Sequence, residues 1–172
     1  MPKVTDSNAS RSTGFDSRKL HHWIAFGFGS GLAPKAPGTF GTLAAIPVYL
    51  LMSPLAWPYY LGLVVLFTVI GLWACDRTAR ELGAKDPSAI VWDEFVGFFI
   101  TMLVVPYSLL TGAHGWLWVL AGFLAFRLFD IWKPWPIRVI DERVEGGLGI
   151  MLDDILAGIM AALTLLVLRL LF

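Results

Sequence analysis

Acidic and basic side chains are missing from this chain over a long distance: none occurs between Ala36 and Cys75. Only 15% of the 172 residues are charged and 57% are hydrophobic, whereas soluble domains carry about 25% charged residues. That shortage excludes an ordinary soluble domain and places the chain in the membrane class. Cysteine is nearly absent as well. Cys75 alone excludes an intramolecular disulfide and a Cys-based zinc site. It sits at the end of an apolar segment with no phosphate-cradling loop ending in Arg, which argues against a cysteine phosphatase and for a small buried residue. Period-2 strand alternation, internal repeats and low-complexity tracts are all missing. So are a P-loop, a G-x-G-x-x-G turn, a D-x-D-x-[TV] nucleophile motif, a Ser-His-Asp arrangement and a histidine-phosphatase pattern. Formal net charge is zero, from 13 basic and 13 acidic residues, which points to no nucleic acid or other polyanionic partner.

What is present is a series of apolar segments. The N-terminal residues 1–22 are polar and mixed in charge, lack the apolar core of a cleaved signal peptide, and are expected to form a flexible cytoplasmic arm. Residues 23–172 are expected to form one membrane-embedded domain. Pro54 and Pro58 divide the first uncharged run into helices of about 39–53 and 57–75. Further segments cover about 89–106, 116–132 and 150–172. The first is short for a span, which needs about 20 residues. The fold class is therefore all-α, an integral membrane bundle of four to five embedded helices. Lys and Arg concentrate in the arm and in the linkers 76–88 and 133–145, so the positive-inside rule directs those parts to the cytoplasm. Arg169 is the one exception. Trp57, Trp73, Trp92, Trp116, Trp118, Trp132 and Trp135 lie near segment ends, as an interfacial belt requires.

On this topology five carboxylates reach one membrane face. Asp93 and Glu94 open the third segment, Asp130 closes the fourth, and Asp153 and Asp154 open the fifth. Acids at a helix start are favoured by the helix dipole, and Asp130 has a structural alternative in an i,i+3 pair with Arg127. As a set, the five suit an all-oxygen site for a hard divalent cation. Such cations serve phosphate chemistry, and candidate anion partners are near: Lys35, Arg127, Lys133, Arg138 and Arg143. The glycine-rich runs PGTFG at 37–41 and GGLGI at 146–150 can expose backbone N–H groups to an anion. Topology signalling and attraction to anionic headgroups are the competing reading of the basic residues. His21 and His22 could approach the site from the arm, while His114 is expected on the opposite face. A divalent-cation channel or transporter would spread its acids through the membrane depth, and here they are confined to one face. A CDP-alcohol phosphotransferase would need a D-x-x-D-G-x-x-A-R signature, which is absent.

Four motifs, GFGSGLAPKAPGTFGTLAAIP (27–47), VWDEFVG (91–97), FRLFDIWKPWPIR (126–138) and GGLGIMLDDILAG (146–158), together resemble the phosphatidylglycerophosphatase A family. The resemblance covers nearly all of the chain after the arm. It implies a bacterial inner-membrane, multi-pass, Mg²⁺-dependent phosphatase that hydrolyses phosphatidylglycerophosphate to phosphatidylglycerol and phosphate, with its site facing the cytoplasm. It implies Asp93, Glu94, Asp130, Asp153 and Asp154 as metal ligands. Asp130, Asp154, Arg127 and Lys133 are the expected catalytic set, and Lys35, Gly38, Thr39, Arg138, Gly147 and Gly149 the expected substrate contacts. Oligomeric state has no signature in this sequence.

Overall fold

The computed structural model describes residues 14–84 and 87–171, and its regular structure is entirely helical. A short helix α1, Leu20–Ala25, leads into a 3-10 stretch, Gly27–Leu32, and then into α2, Pro37–Met52. Pro37 starts α2 because a first-turn residue has no intrahelical N–H bond to lose. After the break at Pro54, Pro58 opens α3, Trp57–Leu82, in the same way, and Gly83 closes it in the left-handed conformation at φ 65°. Helix α4, Trp92–Met102, is followed by a single turn α5, Tyr107–Leu110, then α6, Gly115–Trp132. A short helix α7, Ile137–Arg143, precedes the long final helix α8, Gly146–Leu171.

Among the described residues three helices, α3, α6 and α8, are long and apolar enough to cross a membrane. Of the other expected segments, α2 is as short as its sequence suggested, and α4 is shorter than its apolar run of 89–106. At 1.5 Å per residue, α2 is about 24 Å long and α4 about 16 Å, against a hydrocarbon core of about 30 Å. Helix α4 stops early because the chain turns at once: Leu103 N–H donates to Ile100 O (3.2 Å) and Val105 N–H to Met102 O (3.1 Å), and Pro106 follows.

A half-length helix survives in the membrane only when other protein surrounds it, and α4 is surrounded. It packs against α2, α3, α6 and α8, and Phe95, Val96, Phe98, Phe99 and Met102 are all buried. The closest crossing, with α8, depends on small residues. A Cβ added to Gly158 would lie 2.5 Å from Gly97 O, and one added to Gly97 would lie 2.8 Å from Asp154 O. Such contact lets backbones pack without a hydrophobic driving force between helices. Trp57 and Trp116 are exposed at one end of the bundle, Trp132 and Trp135 at the other.

The expected arm, residues 1–22, is described only from residue 14 onward. Residues 1–13 lie outside the described residues, but Phe15 packs edge-on against Trp23 and Phe26 (centroids 5.2 and 5.3 Å). His21 and His22 are buried. Residue 22 falls inside α1, and that helix docks on α3.

Candidate active site

Glu94 lies in the first turn of α4. The carboxylate of Asp93 accepts the Glu94 N–H (3.0 Å), an arrangement the helix dipole favours. The Glu94 side chain is directed inward. Thr42, one turn into α2, donates its hydroxyl to Glu94 Oε2 at 2.8 Å, and Arg127 of α6 donates to the same oxygen. Arg127 also meets Asp130 Oδ2 at 2.8 Å, the i,i+3 pair on α6. From α8, Asp154 arrives almost fully buried, and its Oδ2 has no hydrogen-bond partner.

One ligand oxygen each from Glu94, Asp130 and Asp154 lies within 4.8 Å of the others. Arg127 is the cation that pairs with two of the three, so with all three carboxylates ionised the cluster would carry more negative than positive charge. Buried carboxylates this close repel strongly unless a cation joins them. Three convergent oxygen donors, one of them without a partner, fit a hard divalent ion such as Mg²⁺ better than a nitrogen- or sulfur-preferring metal.

The other expected ligands have different partners. Asp153 Oδ2 accepts from Lys133 Nζ at 2.7 Å, and the same ammonium reaches Asp141 Oδ1 at 2.8 Å. Lys133 closes α6 in the left-handed region at φ 45°. Burial would depress its ammonium, but the two carboxylates outweigh burial and hold it above its ordinary value. Arg138 pairs with Glu142 (2.9 Å) on the exposed side of α7, and Lys35 is exposed. Neither is part of the carboxylate cluster. The amide of Gly147, expected to stay open for an anion, donates to Asp76 Oδ1 at 3.2 Å. At Gly149 a Cβ would collide with Val144 O. Both glycines thus serve tight packing where α8 begins.

Gly38 has a sharper purpose. A Cβ there would overlap Glu94 Oε1 and sit 3.1 Å from Arg127 Nη1, so the first turn of α2 closes over the cluster only because position 38 lacks a side chain. Thr39 is half-buried in the same turn. Thr42 and Asp141 were not among the sequence candidates. Thr42 had a legible signal: it falls on the buried face of α2 with Ala45, Tyr49 and Met52, where a hydroxyl requires a partner. Asp141, in a mixed-charge run, had none.

His21 and His22 form a separate group with Glu81, their Nε2 atoms 3.1 and 3.2 Å from its carboxylate. The Asp16 N–H donates to His22 Nδ1 at 2.9 Å, so the proton of neutral His22 is on Nε2, facing Glu81. Lys19 donates to Glu81 as well (2.6 Å). This is a clamp that holds α1 to α3, since His22 presents a donor where a metal needs a lone pair. Cys75 is buried, as expected.

Comparison with known proteins agrees with the motif reading. The family model described as Phosphatidylglycerophosphatase A matches residues 23–169. The chain is 50% identical over 141 residues to phosphatidylglycerophosphatase A of Escherichia coli, covering 82% of this chain and 78% of that protein. It is 46% identical over 143 residues to the Haemophilus influenzae protein of the same name, covering 83% and 84%. A Bacteroides thetaiotaomicron protein provisionally named a phosphatidylinositol-3-phosphatase is 43% identical over 153 residues, covering 85% and 91%. No solved structure matches. The chain belongs to the phosphatidylglycerophosphatase A family.

Proposed function

We propose that this protein hydrolyses phosphatidylglycerophosphate to phosphatidylglycerol and inorganic phosphate at the cytoplasmic face of a bacterial inner membrane, with Mg²⁺ as cofactor. The observation that carries this reading is the meeting of Glu94, Asp130 and Asp154 with Arg127 at one end of the bundle. The two curated relatives that share the family name support the substrate. The basic linkers around the site favour its cytoplasmic orientation by the positive-inside rule.

Glu94, Asp130 and Asp154 would hold the metal, and Asp154 Oδ2 is a buried oxygen without a hydrogen-bond partner. Bound there, Mg²⁺ would neutralise phosphoryl oxygens and lower the pKa of a water. Arg127, fixed by two carboxylates, presents its guanidinium to the phosphate and stabilises charge that grows in the transition state. Thr42 and Gly38 keep Glu94 in place. The water oxygen forms a bond to phosphorus while the bond to the glycerol oxygen breaks. A site carboxylate takes one proton from the water and passes it to the leaving glycerol oxygen, and the other water proton stays with the phosphate. Lys133 lies beside this centre, bridging Asp153 and Asp141, and keeps the start of α8 and the end of α6 in register.

The test is phosphate release from phosphatidylglycerophosphate by purified protein in detergent, with Mg²⁺ and with EDTA. Release that EDTA abolishes and Mg²⁺ restores is expected. Inactivity toward this lipid, alongside turnover of a 3-phosphoinositide, would move the substrate to the one named for the Bacteroides relative. A phosphorylated aspartate trapped from labelled substrate would replace water attack by a covalent route.

A further inference from the structure

At the end of the bundle opposite the carboxylates lies a cleft of about 460 Å³. It is lined by Tyr49, Ser53, Trp57, Tyr60, Tyr107 and Arg169, with the Met102–Pro106 turn as its floor. Two of its polar groups are unusual. Tyr49 is only 1% exposed, and its hydroxyl has no hydrogen-bond partner. Neighbouring Tyr60 donates to Phe99 O (2.8 Å), so the unmet hydroxyl belongs to Tyr49 and not to the region in general. A buried hydroxyl without a partner costs free energy comparable to a lost hydrogen bond, and marks a place where a ligand atom belongs.

The second group is Arg169. Its Nη1 donates to Val104 O at 3.2 Å, which uses one of five N–H donors. The helix segments that form this end fall within residues 36–75, 95–126 and 155–171, and across all of them Arg169 is the only Asp, Glu, Lys or Arg. Among the described residues it therefore has no side-chain carboxylate at its end of the molecule. It also stands against the positive-inside pattern that every other basic cluster obeys, so orientation does not account for it.

We propose that this cleft binds the headgroup of an anionic glycerophospholipid from the leaflet opposite the carboxylate cluster. Arg169 takes the phosphodiester, the Tyr49 hydroxyl donates to an uncharged headgroup oxygen, and Ser53, whose hydroxyl donates to Leu50 O at 2.9 Å, accepts from a headgroup hydroxyl. The volume lies within the range of small-molecule sites. Exposed Trp57 and Tyr107 at the rim set the depth at which headgroups lie. The choice of an anionic lipid follows from charge: an amine-bearing zwitterionic headgroup would find no Asp or Glu here to receive its ammonium, whereas an uncharged polyol needs only hydroxyls.

Native mass spectrometry of the full chain, in EDTA and titrated with phosphatidylglycerol or phosphatidylethanolamine, tests this. Wild type should retain one phosphatidylglycerol that Arg169→Gln loses, with affinity weakened about tenfold or more, as expected for a charge-assisted phosphate contact. Tyr49→Phe keeps the ring and should weaken the same binding step several-fold. Both variants should hydrolyse lipid at the wild-type rate. Equal retention by wild type and Arg169→Gln, or equal retention of the two lipids, would overturn the proposal. Displacement by millimolar inorganic phosphate would also overturn it in favour of a free-anion site. Because the readout is lipid retention without metal, its failure is distinct from a failure of phosphatase activity.

Discussion

Replacing Asp154 with Asn should have opposite effects on stability and activity. Asp154 is 2% exposed, and its Oδ2 has no partner. Its ligand oxygen lies within 4.8 Å of those of Glu94 and Asp130. At an effective dielectric of about 20, two unit charges at that distance repel by about 3.5 kcal/mol, and Arg127 offsets part of this through its contacts to Glu94 and Asp130. Asn keeps the shape and removes the charge. In EDTA the variant should therefore be at least as stable as wild type, and up to about 3 kcal/mol more so. For a chain of this size each kcal/mol moves the apparent Tm by about 2–4 °C. Adding Mg²⁺ should reverse the order. A metal at 100 times its Kd contributes about 2.7 kcal/mol to the state that binds it, and only wild type keeps all three oxygens. Phosphate release should fall more than about 100-fold in the variant. Thermal unfolding followed by tryptophan fluorescence, with EDTA and with Mg²⁺, gives the crossover. A variant several degrees less stable than wild type in EDTA, or one that gains as much from Mg²⁺, would refute the assignment of Asp154 as an unsatisfied ligand.

Three further outcomes follow from the same geometry. Gly38→Ala places a methyl against Glu94 Oε1 and the Arg127 guanidinium, so it should lower phosphate release at least tenfold with little change in Tm. Normal kinetics would show that the first turn of α2 does not hold Glu94. Thr42→Val removes the hydroxyl that donates to Glu94 at 2.8 Å while keeping the volume. It should cost about 1–3 kcal/mol of stability and shift the Mg²⁺ dependence of the rate, which Thr42→Ser should restore. For His22, burial lowers the imidazole pKa below 6.5 despite the opposing contact with Glu81. The unfolded or undocked form therefore binds the proton first, and docking of α1 is fully present above that value and weakens as pH falls through it. Proteolysis near Arg18 and Lys19 should accelerate from pH 7.5 to 5.5 and should not in His22→Gln. An unchanged rate would separate His22 from the docking.

The membrane class, the helix order and the end at which the acids gather were legible because charge is scarce and expensive in an apolar chain. Asp130 and Arg127 formed the pair their spacing suggested. What spacing could not reveal was the partition of the acids. Asp153 and Asp154 are adjacent, so they lie about 100° apart around α8. One meets Lys133 and the other meets Glu94 and Asp130. Gly147 illustrates the same limit, since a helix-start amide reads as an anion site until Asp76, far away in sequence, is seen to occupy it. The length of α4 was hidden because the apolar run continues through the turn that ends the helix. Docking of α1 was hidden because it depends on Glu81 meeting two histidines some sixty residues earlier.

The shortness of α4 has a consequence for the shape of the whole bundle. A central rod of about 16 Å inside a slab of about 30 Å leaves roughly 14 Å of axis unfilled. That missing length is shared between the two ends. At one end Glu94, in the first turn of α4, lies buried beneath Gly38 and Thr42 of α2. At the other end is the hollow whose floor is the turn after Met102. Lengthening α4 by a turn at its C-terminal end would fill that hollow without touching Glu94. The buried carboxylate and the hollow lie at the two ends of one short helix, placed by where it begins and stops.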